Sequence, residues 1–252
     1  MATKCSIEGL DFDIELLIKQ LKQDMKDDWF PDPLNFKDSL KKDAIEKYFN
    51  KYKKSSSISY KPSEAEQFNL PKKGFTLRYA LETNIYDRVV YQMVAAYLIQ
   101  FYDGILNDCV FSHRWNKSTS SKHIFNHPIV SYKNFESAVK NEFESGEKIL
   151  VVSDIQNFYE NIRIADIKKS FMEQIPHIQA TRTEKNQIII AINLIFRLLK
   201  KWSVYKRHGI PQNRDASSFL SNITLHSIDN EMLQKGYNYF RYMDDIRIVC
   251  DD

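Results

Sequence analysis

The sequence predicts a mixed fold of class α+β, and two kinds of pattern predict it. Apolar residues recur at helical spacing in several stretches, most clearly in DRVVYQMVAAYLIQFYDGIL and KNQIIIAINLIFRLLKKW. Short β-branched runs such as ILVVSD and IRIVC have the composition of strands instead. With 252 residues, the chain is long enough for one large domain or two modest ones with a substantial core.

The first half of the chain is predicted to be mostly helical. Helices are expected from Phe12, over residues 38–52, from Asp87 to near Gly104, and over residues 134–144. The stretch FTLRYALETN, which lies between the second and third of these helices, is typical of a strand or an extended arm.

The second half is predicted to alternate strands and helices. KILVVSDIQNFY begins with a β-branched run that predicts a buried strand ending at Asp154. Helices are expected from Ile164, with a break at Pro176, and again after the turn GIPQN. YNYFRYM and IRIVC then flank Asp244 and Asp245 as two strands flank a tight hairpin turn.

Cysteine content and hydropathy exclude several classes of protein. The three cysteines are widely spaced and form no CxxC pair, which favours a reducing cytoplasm over a disulfide framework. The longest apolar run, IIIAINLIF, is too short to span a bilayer, and the sequence begins with no signal peptide. The sequence therefore predicts a soluble, cytoplasmic protein without a membrane partner.

The net charge of +3 is small, but its distribution is uneven. Clusters of basic residues suit the phosphate backbone of a nucleic acid, while a solvated helix face is the plainer interpretation of each cluster taken alone. The clustered residues are Lys41, Lys42, Lys47, Lys51, Lys53, Lys54, Lys72, Lys73, Lys200, Lys201, Lys206 and Arg207.

Two adjacent aspartates, Asp244 and Asp245, interrupt an apolar, strand-like run. Two carboxylates in contact repel each other by ~1–4 kcal/mol, and Asp is a poor strand former. If the strand that ends at Asp154 lies beside this hairpin, three carboxylates meet at one point. Mg²⁺ prefers carboxylate oxygens, and two such ions stabilise the attacking and leaving oxygens of a phosphoryl transfer. The alternative is an exposed hairpin that carries two aspartates at its turn and holds no metal.

Four stretches resemble, in order along the chain, motifs of the reverse transcriptases: RYALETNIYDRVVYQ, SDIQNFYENI, GIPQNRDASSFLSNITL and YMDD. The resemblance covers the chain from about Phe75 to its end. It implies a right-hand polymerase with an antiparallel palm sheet and flanking helices. Fingers and a truncated palm would be formed by residues 67–252, a helical N-terminal extension by residues 1–66, and the thumb would be absent from this chain.

The resemblance also implies roles for individual residues. Asp154, Asp244 and Asp245 would be catalytic and, with the backbone carbonyl of Ile155, would bind two Mg²⁺ ions, Mn²⁺ being the alternative. Tyr159 would be a steric gate that excludes a 2′-hydroxyl, the competing interpretation being a core aromatic. The other implied substrate-binding residues are Arg78, Lys72 and Lys73 at the triphosphate, Gln212 at the template or nascent pair, and Tyr242 and Met243 beneath the primer terminus.

Two details depart from the usual family pattern. The glycine that follows the PQ pair is replaced by Asn213, and the usual Ser-Pro-Leu-Leu run appears as Ser218-Phe219-Leu220 after Ser217. PQNRDASSFL is more similar to the bacterial abortive-infection and related antiphage-defence reverse transcriptases than to the intron-encoded enzymes. That similarity implies addition of dNTPs to a 3′-hydroxyl or a protein primer, with RNA or DNA as template.

Two other functions remain open at this point. An RNA-dependent RNA polymerase shares the palm chemistry, although a bulky Tyr159 would clash with a ribose. A polymerase-like module that binds nucleic acid without chemistry would have no reason to gather carboxylates beside phosphates. The sequence identifies neither template nor primer, and it leaves the oligomeric state unknown.

Overall fold

The computed structural model of this chain describes residues 4–27, 40–53, 59–71, 74, 77–118, 123–146, 149–203 and 207–251. Helices and strands both occur throughout these ranges, so the predicted mixed class is confirmed. None of the described helices is long and apolar enough to cross a membrane.

Most predicted elements are present, several with different ends. The helices are α1 (Ile14–Asp24), α2 (Lys42–Lys53), α3 (Ile85–Tyr102), α4 (Pro128–Glu144), α5 (Phe158–Asn161), α6 (Ile164–Gln174), α7 (Arg182–Trp202) and α8 (Asp215–Gln234). The strands are β1 (Lys4–Ile7), β2 (Leu10–Asp13), β3 (Glu66–Pro71), β4 (Leu77–Glu82), β5 (Ile149–Asp154), β6 (Asn238–Tyr242) and β7 (Asp245–Cys250).

The N-terminal segment differs from the predicted helical extension, because it begins with the antiparallel hairpin of β1 and β2. Phe12 was expected in a helix and lies in β2 instead. The hairpin turns at Glu8 and Gly9, both with positive φ, a conformation that glycine adopts without cost. Helix α1 then begins after Asp13, whose carboxylate accepts hydrogen bonds from two backbone N–H groups of the first turn.

The main apolar core is built around α3. Its side chains from Asp87 to Ala95 are buried without interruption, and most of them are apolar. Helices α1, α7 and α8 pack against it, and Ile7 and Leu10 of the first hairpin belong to the same core. The N-terminal hairpin and α1 are therefore packed into the body of the fold.

The start of α3 was predicted at Asp87 but lies at Ile85. Asn84 caps the helix by accepting a hydrogen bond from the backbone N–H of Tyr86. Asp87 is instead buried and accepts hydrogen bonds from the Tyr60 hydroxyl and the Ser63 backbone. An aspartate near a helix start can thus serve a tertiary contact while its neighbour forms the cap.

The sheet that carries the acidic residues has the strand order β5-β7-β6 and is antiparallel. Helix α4 covers one face, where Phe135 packs with Tyr242 and Val249. On the other face, Tyr239 packs with Cys109. Strand β7 is the central strand of this sheet. The hairpin β6–β7 therefore packs against α4 on one face and against the residues around Cys109 on the other.

Strand β5 was predicted to be buried, and this prediction is wrong. The side chains of residues 149–152 are 40–60% exposed. The β-branched composition identified a strand correctly, but β5 lies at the edge of its sheet and pairs only with β7 in the described part of the chain. Composition predicts strand conformation, whereas burial depends on what covers the strand.

Candidate active site

The register of β5 against β7 brings the candidate catalytic acids together. Asp154, the last residue of β5, lies opposite Asp245, the first residue of β7. Asp244 occupies the turn before β7, and its backbone carbonyl accepts a hydrogen bond from the N–H of Ile155 at 3.2 Å. Residues some ninety positions apart in the sequence therefore meet at one end of the sheet.

Burial and neighbouring charges both affect the pKa of Asp245. Burial raises the pKa of Asp245 above its ordinary value, and the neighbouring Asp154 adds to the increase. Arg247 acts in the opposite direction through an ion pair with the Asp245 carboxylate. The Arg247 guanidinium thus partly neutralises the negative charge of the aspartates at this end of the sheet.

The donor chemistry fits a hard divalent cation, although the side chains are not preassembled around one. Asp154, Asp244 and Asp245 supply carboxylate oxygens, and Ile155 supplies a backbone carbonyl, which are the ligand types that Mg²⁺ binds. Within the described residues, no three acidic, histidine or cysteine side chains are grouped tightly enough to hold an ion. The ion pair between Asp245 and Arg247 occupies one of the carboxylates that such a group needs.

The turn between β6 and β7 has an unusual backbone. Met243 adopts a φ of 56°, in the left-handed region that residues other than glycine rarely enter. Its N–H donates to the Ser112 hydroxyl at 3.0 Å, and its carbonyl accepts from Arg241 at 2.9 Å. The turn that carries Asp244 is therefore held from beneath by side chains.

Tyr159, the candidate steric gate, contacts both α8 and the acidic turn. Its hydroxyl lies 3.0 Å from the Ser218 hydroxyl and 3.5 Å from the Met243 sulfur. Burial raises its pKa to about 12, the Ser218 hydrogen bond opposes this, and the Asp244 charge adds to it. The ring also packs against the main core, so the core and gate interpretations are compatible.

The loop between α7 and α8 explains one departure from the family pattern. Asn213 has a φ of 50°, a conformation that glycine adopts freely and that asparagine adopts more readily than most residues. Asn213 therefore has a backbone conformation that a glycine at this position would adopt freely. Its neighbour Gln212 is half-buried and donates to the carboxylate of Glu160, the residue that follows Tyr159, at 3.4 Å.

Tyr242 is buried in the layer between the hairpin and α4. Its hydroxyl donates to the Pro128 carbonyl at 3.2 Å, and its ring contacts Tyr132 edge-on at 5.1 Å between centroids. Burial raises its pKa to about 12, with Asp215 adding to the increase. Its contacts fix the end of β6 against α4.

Three candidates for triphosphate contact are incompletely described. Arg78 lies in β4 opposite Leu70 of β3, but its side chain is outside the described part of the structure. Lys72 and Lys73 lie outside the described residues altogether. Their contact with a triphosphate remains a prediction.

A buried polar group near the acidic turn was missed by sequence reasoning. Arg241 and Asp229 are both fully buried and form a two-point ion pair with distances of 2.7 Å. Asn222 accepts from Arg241 and donates to the Ser112 backbone. The signal was the arginine in FRYMDD, a charged side chain within an apolar strand, which requires a buried partner.

The family model of reverse transcriptases (RNA-dependent DNA polymerases) matches residues 70–252. The chain belongs to the reverse transcriptase family. Among curated proteins, no sequence matches this reverse transcriptase.

Solved structures that match this reverse transcriptase share little sequence identity with it. One is telomerase from Candida albicans in complex with a TWJ fragment of telomeric RNA, with 11% identity and a TM-score of 0.49, covering 85% of this chain and 43% of that one. A partial Cas6-RT-Cas1–Cas2 complex has 16% identity and a TM-score of 0.44, covering 94% of this chain and 37% of that one. The chain thus spans less than half the length of these proteins.

Proposed function

We propose that this chain is the fingers and palm of an RNA-directed DNA polymerase that adds dNTPs to a primer hydroxyl. The observation that carries the proposal is the register that sets Asp154 opposite Asp245, with Asp244 in the adjoining turn. A protein that only bound nucleic acid would lose affinity by collecting negative charge beside phosphates. In a phosphoryl-transfer enzyme the same acids would hold the divalent ions that the reaction needs.

Divalent ions held by Asp154, Asp244, Asp245 and the Ile155 carbonyl would neutralise developing charge on the attacking and leaving oxygens. Mg²⁺ is the proposed ion and Mn²⁺ the alternative. The polypeptide's own contribution is to fix the acids relative to one another, because positioning and preorganised charge supply most of the rate in phosphoryl transfer. The hydrogen bond from Ile155 to the Asp244 carbonyl contributes to that positioning.

The nucleotide would lie against Tyr159, whose ring would exclude a 2′-hydroxyl and so favour dNTPs over NTPs. Support for this assignment comes from the contacts of Tyr159 with Met243 and Ser218, which keep the ring next to the acidic turn. The remaining substrate contacts in this proposal are Arg78, Lys72 and Lys73 to the triphosphate, Gln212 to the template or nascent pair, and Tyr242 and Met243 beneath the primer terminus.

In this proposal residues 67–252 form the fingers and palm, and residues 1–66 form an N-terminal extension. The template-primer would be RNA or DNA, and the protein would act in the bacterial cytoplasm in antiphage defence, with a 3′-hydroxyl or a protein hydroxyl as primer. The similarity of PQNRDASSFL to defence enzymes supports this role.

The test is incorporation of labelled dNTPs, with Mg²⁺ and with or without template and primer, by the longest natural form of the chain. Asp245→Asn is the inactive variant, and Asp251→Asn, near the end of the described chain, is the matched control. The proposal requires incorporation by the wild type and the control but not by Asp245→Asn. Incorporation of NTPs in preference to dNTPs would indicate an RNA polymerase, and nucleic-acid binding without incorporation would indicate a binding module.

A further inference from the structure

The backbone of Met243 requires support from outside its two-residue turn. In a two-residue turn, the N–H and C=O of the first turn residue have no partner on the paired strands. Met243 is also in a positive-φ conformation that is costly for a side chain without a local hydrogen-bonding group. Such a conformation persists only where surrounding structure holds it in place.

Both polar backbone groups of Met243 have a partner outside the turn. Ser112 accepts from its N–H, and Arg241 donates to its carbonyl. Ser112 lies in the loop that precedes α4, and its side chain is fully buried. The turn is therefore held by two hydrogen bonds, to Ser112 and from Arg241. Both of these side chains are buried, so water does not replace either bond.

These two supporting side chains are themselves held in place. The guanidinium of Arg241 donates two hydrogen bonds to Asp229, one to Asn222 and one to the Met243 carbonyl. Asn222 in turn donates to the Ser112 carbonyl at 2.7 Å. Strand β6, helix α8 and the loop before α4 are thus joined into one buried network below the acidic turn.

We infer that Ser112 and Arg241 are positioning residues that hold Met243 in its positive-φ conformation and so set Asp244 and Asp245 against Asp154. The inference rests on the proposed polymerase function. Loss of either contact would allow Met243 to relax to a negative φ. The carboxylates that follow it would then move, whereas the nucleotide pocket around Tyr159 would keep its other walls.

Ser112→Ala tests the inference most directly, because it removes the hydroxyl and leaves a small apolar side chain in a buried site. The matched control is Ser217→Ala, since Ser217 is equally buried but its hydroxyl bonds to Tyr91. Arg241→Lys is a second variant, which keeps a positive charge beside Asp229 but lacks the fork that reaches Met243. Its control is Tyr239→Phe, which removes another hydrogen bond to Asp229 without touching the turn.

Steady-state dNTP incorporation and thermal melting are measured for each variant. We expect kcat to fall by about tenfold or more for Ser112→Ala and for Arg241→Lys, with KM for dNTP within about twofold of wild type. The two controls should retain kcat within about twofold while showing a comparable drop in melting temperature. If Arg241→Lys does not fold, the comparison of Ser112→Ala with Ser217→Ala still decides the question.

Equal kcat for Ser112→Ala and Ser217→Ala would overturn the positioning role, as would a loss confined to KM. Either result leaves the polymerase assignment intact, since the wild type would still incorporate dNTPs. Absence of incorporation by the wild type would instead refute the proposed function on which the inference rests.

Discussion

The carboxylate of Asp24 accepts a hydrogen bond from the backbone N–H of Asp215 at 2.7 Å and pairs with the guanidinium of Arg88 at 2.6 Å. Asp24 ends α1, Asp215 begins α8, and Arg88 lies in α3. Both side chains of the ion pair are 3% exposed. One buried acid therefore ties the N-terminal segment to the core and to the helix that follows the Gln212 loop.

This relationship predicts a large loss of stability for Asp24→Asn. The variant keeps the shape of the side chain but removes the negative charge that pairs with the buried Arg88 guanidinium, and breaking a buried pair in this way costs about 3–5 kcal/mol. Urea unfolding followed by circular dichroism measures the change. Glu15→Gln, which removes an exposed charge paired with Lys42 at 3.4 Å, should alter stability by less than about 0.5 kcal/mol. Similar effects for the two variants would disprove the role assigned to Asp24.

The conformation of Asn213 predicts an asymmetric response to substitution. Asn213→Gly should leave the free energy of unfolding nearly unchanged, since glycine adopts a φ of 50° readily. Asn213→Val should lower it by about 1–2 kcal/mol, because a β-branched side chain is strained in the left-handed region. Chemical unfolding of the two variants beside wild type measures the difference. A valine variant as stable as the glycine variant would contradict the backbone explanation for this departure from the family pattern.

The position of Tyr159 predicts a change in sugar selectivity. Tyr159→Ala removes the ring and should reduce the preference for dNTP over NTP by about tenfold or more, measured as the ratio of kcat/KM values. Tyr159→Phe keeps the ring and loses only the hydroxyl contact with Ser218, so most of the preference should remain. If the alanine variant discriminates as well as wild type, the ring contributes only to core packing and is not a gate.

Buried His226 predicts a dependence of stability on pH. Burial lowers its pKa in the folded state below the ordinary value of 6.5, so the unfolded chain binds this proton more tightly. The contribution of neutral His226 to the free energy of unfolding is therefore complete above about pH 6.5. It is lost as the pH falls from there through the folded-state pKa. His226→Gln should show a shallower fall in unfolding free energy over this range than wild type. If the unfolding free energies of the two proteins fell with the same slope, His226 would not be the source of this pH dependence.

Local sequence patterns predicted those parts of the fold that depend on neighbouring residues. The apolar periodicity of KNQIIIAINLIFRLLKKW predicted helix α7, which ends at Trp202 as expected but begins earlier, at Arg182, after a capping box of Thr181 and Glu184. The β6–β7 hairpin was predicted from two strand-like runs around Asp244 and Asp245. The juxtaposition of Asp154 with this hairpin was expected once the two strands were taken to be neighbours.

Features that depend on distant parts of the chain were not predicted. The burial of β5 could not be judged from its β-branched residues, since the strand lies at a sheet edge. The N-terminal hairpin was missed because FDIELLIKQL has helical periodicity from its first residue, whereas Gly9 in the preceding residues allows a tight turn. The network of Arg241 includes Ser112, more than a hundred positions earlier, and no local pattern links the two.

The central claim is that Asp154 and Asp245 act as one unit in catalysis, and a double-variant comparison tests it most directly. Template-dependent dNTP incorporation is measured for Asp154→Asn, Asp245→Asn and the double variant, with Asp166→Asn in α6 as the exposed control. Residues that act together are not additive, so each single variant should lose nearly all activity and the double variant no more. Substantial activity in either single variant, with a further loss on combining them, would contradict the account.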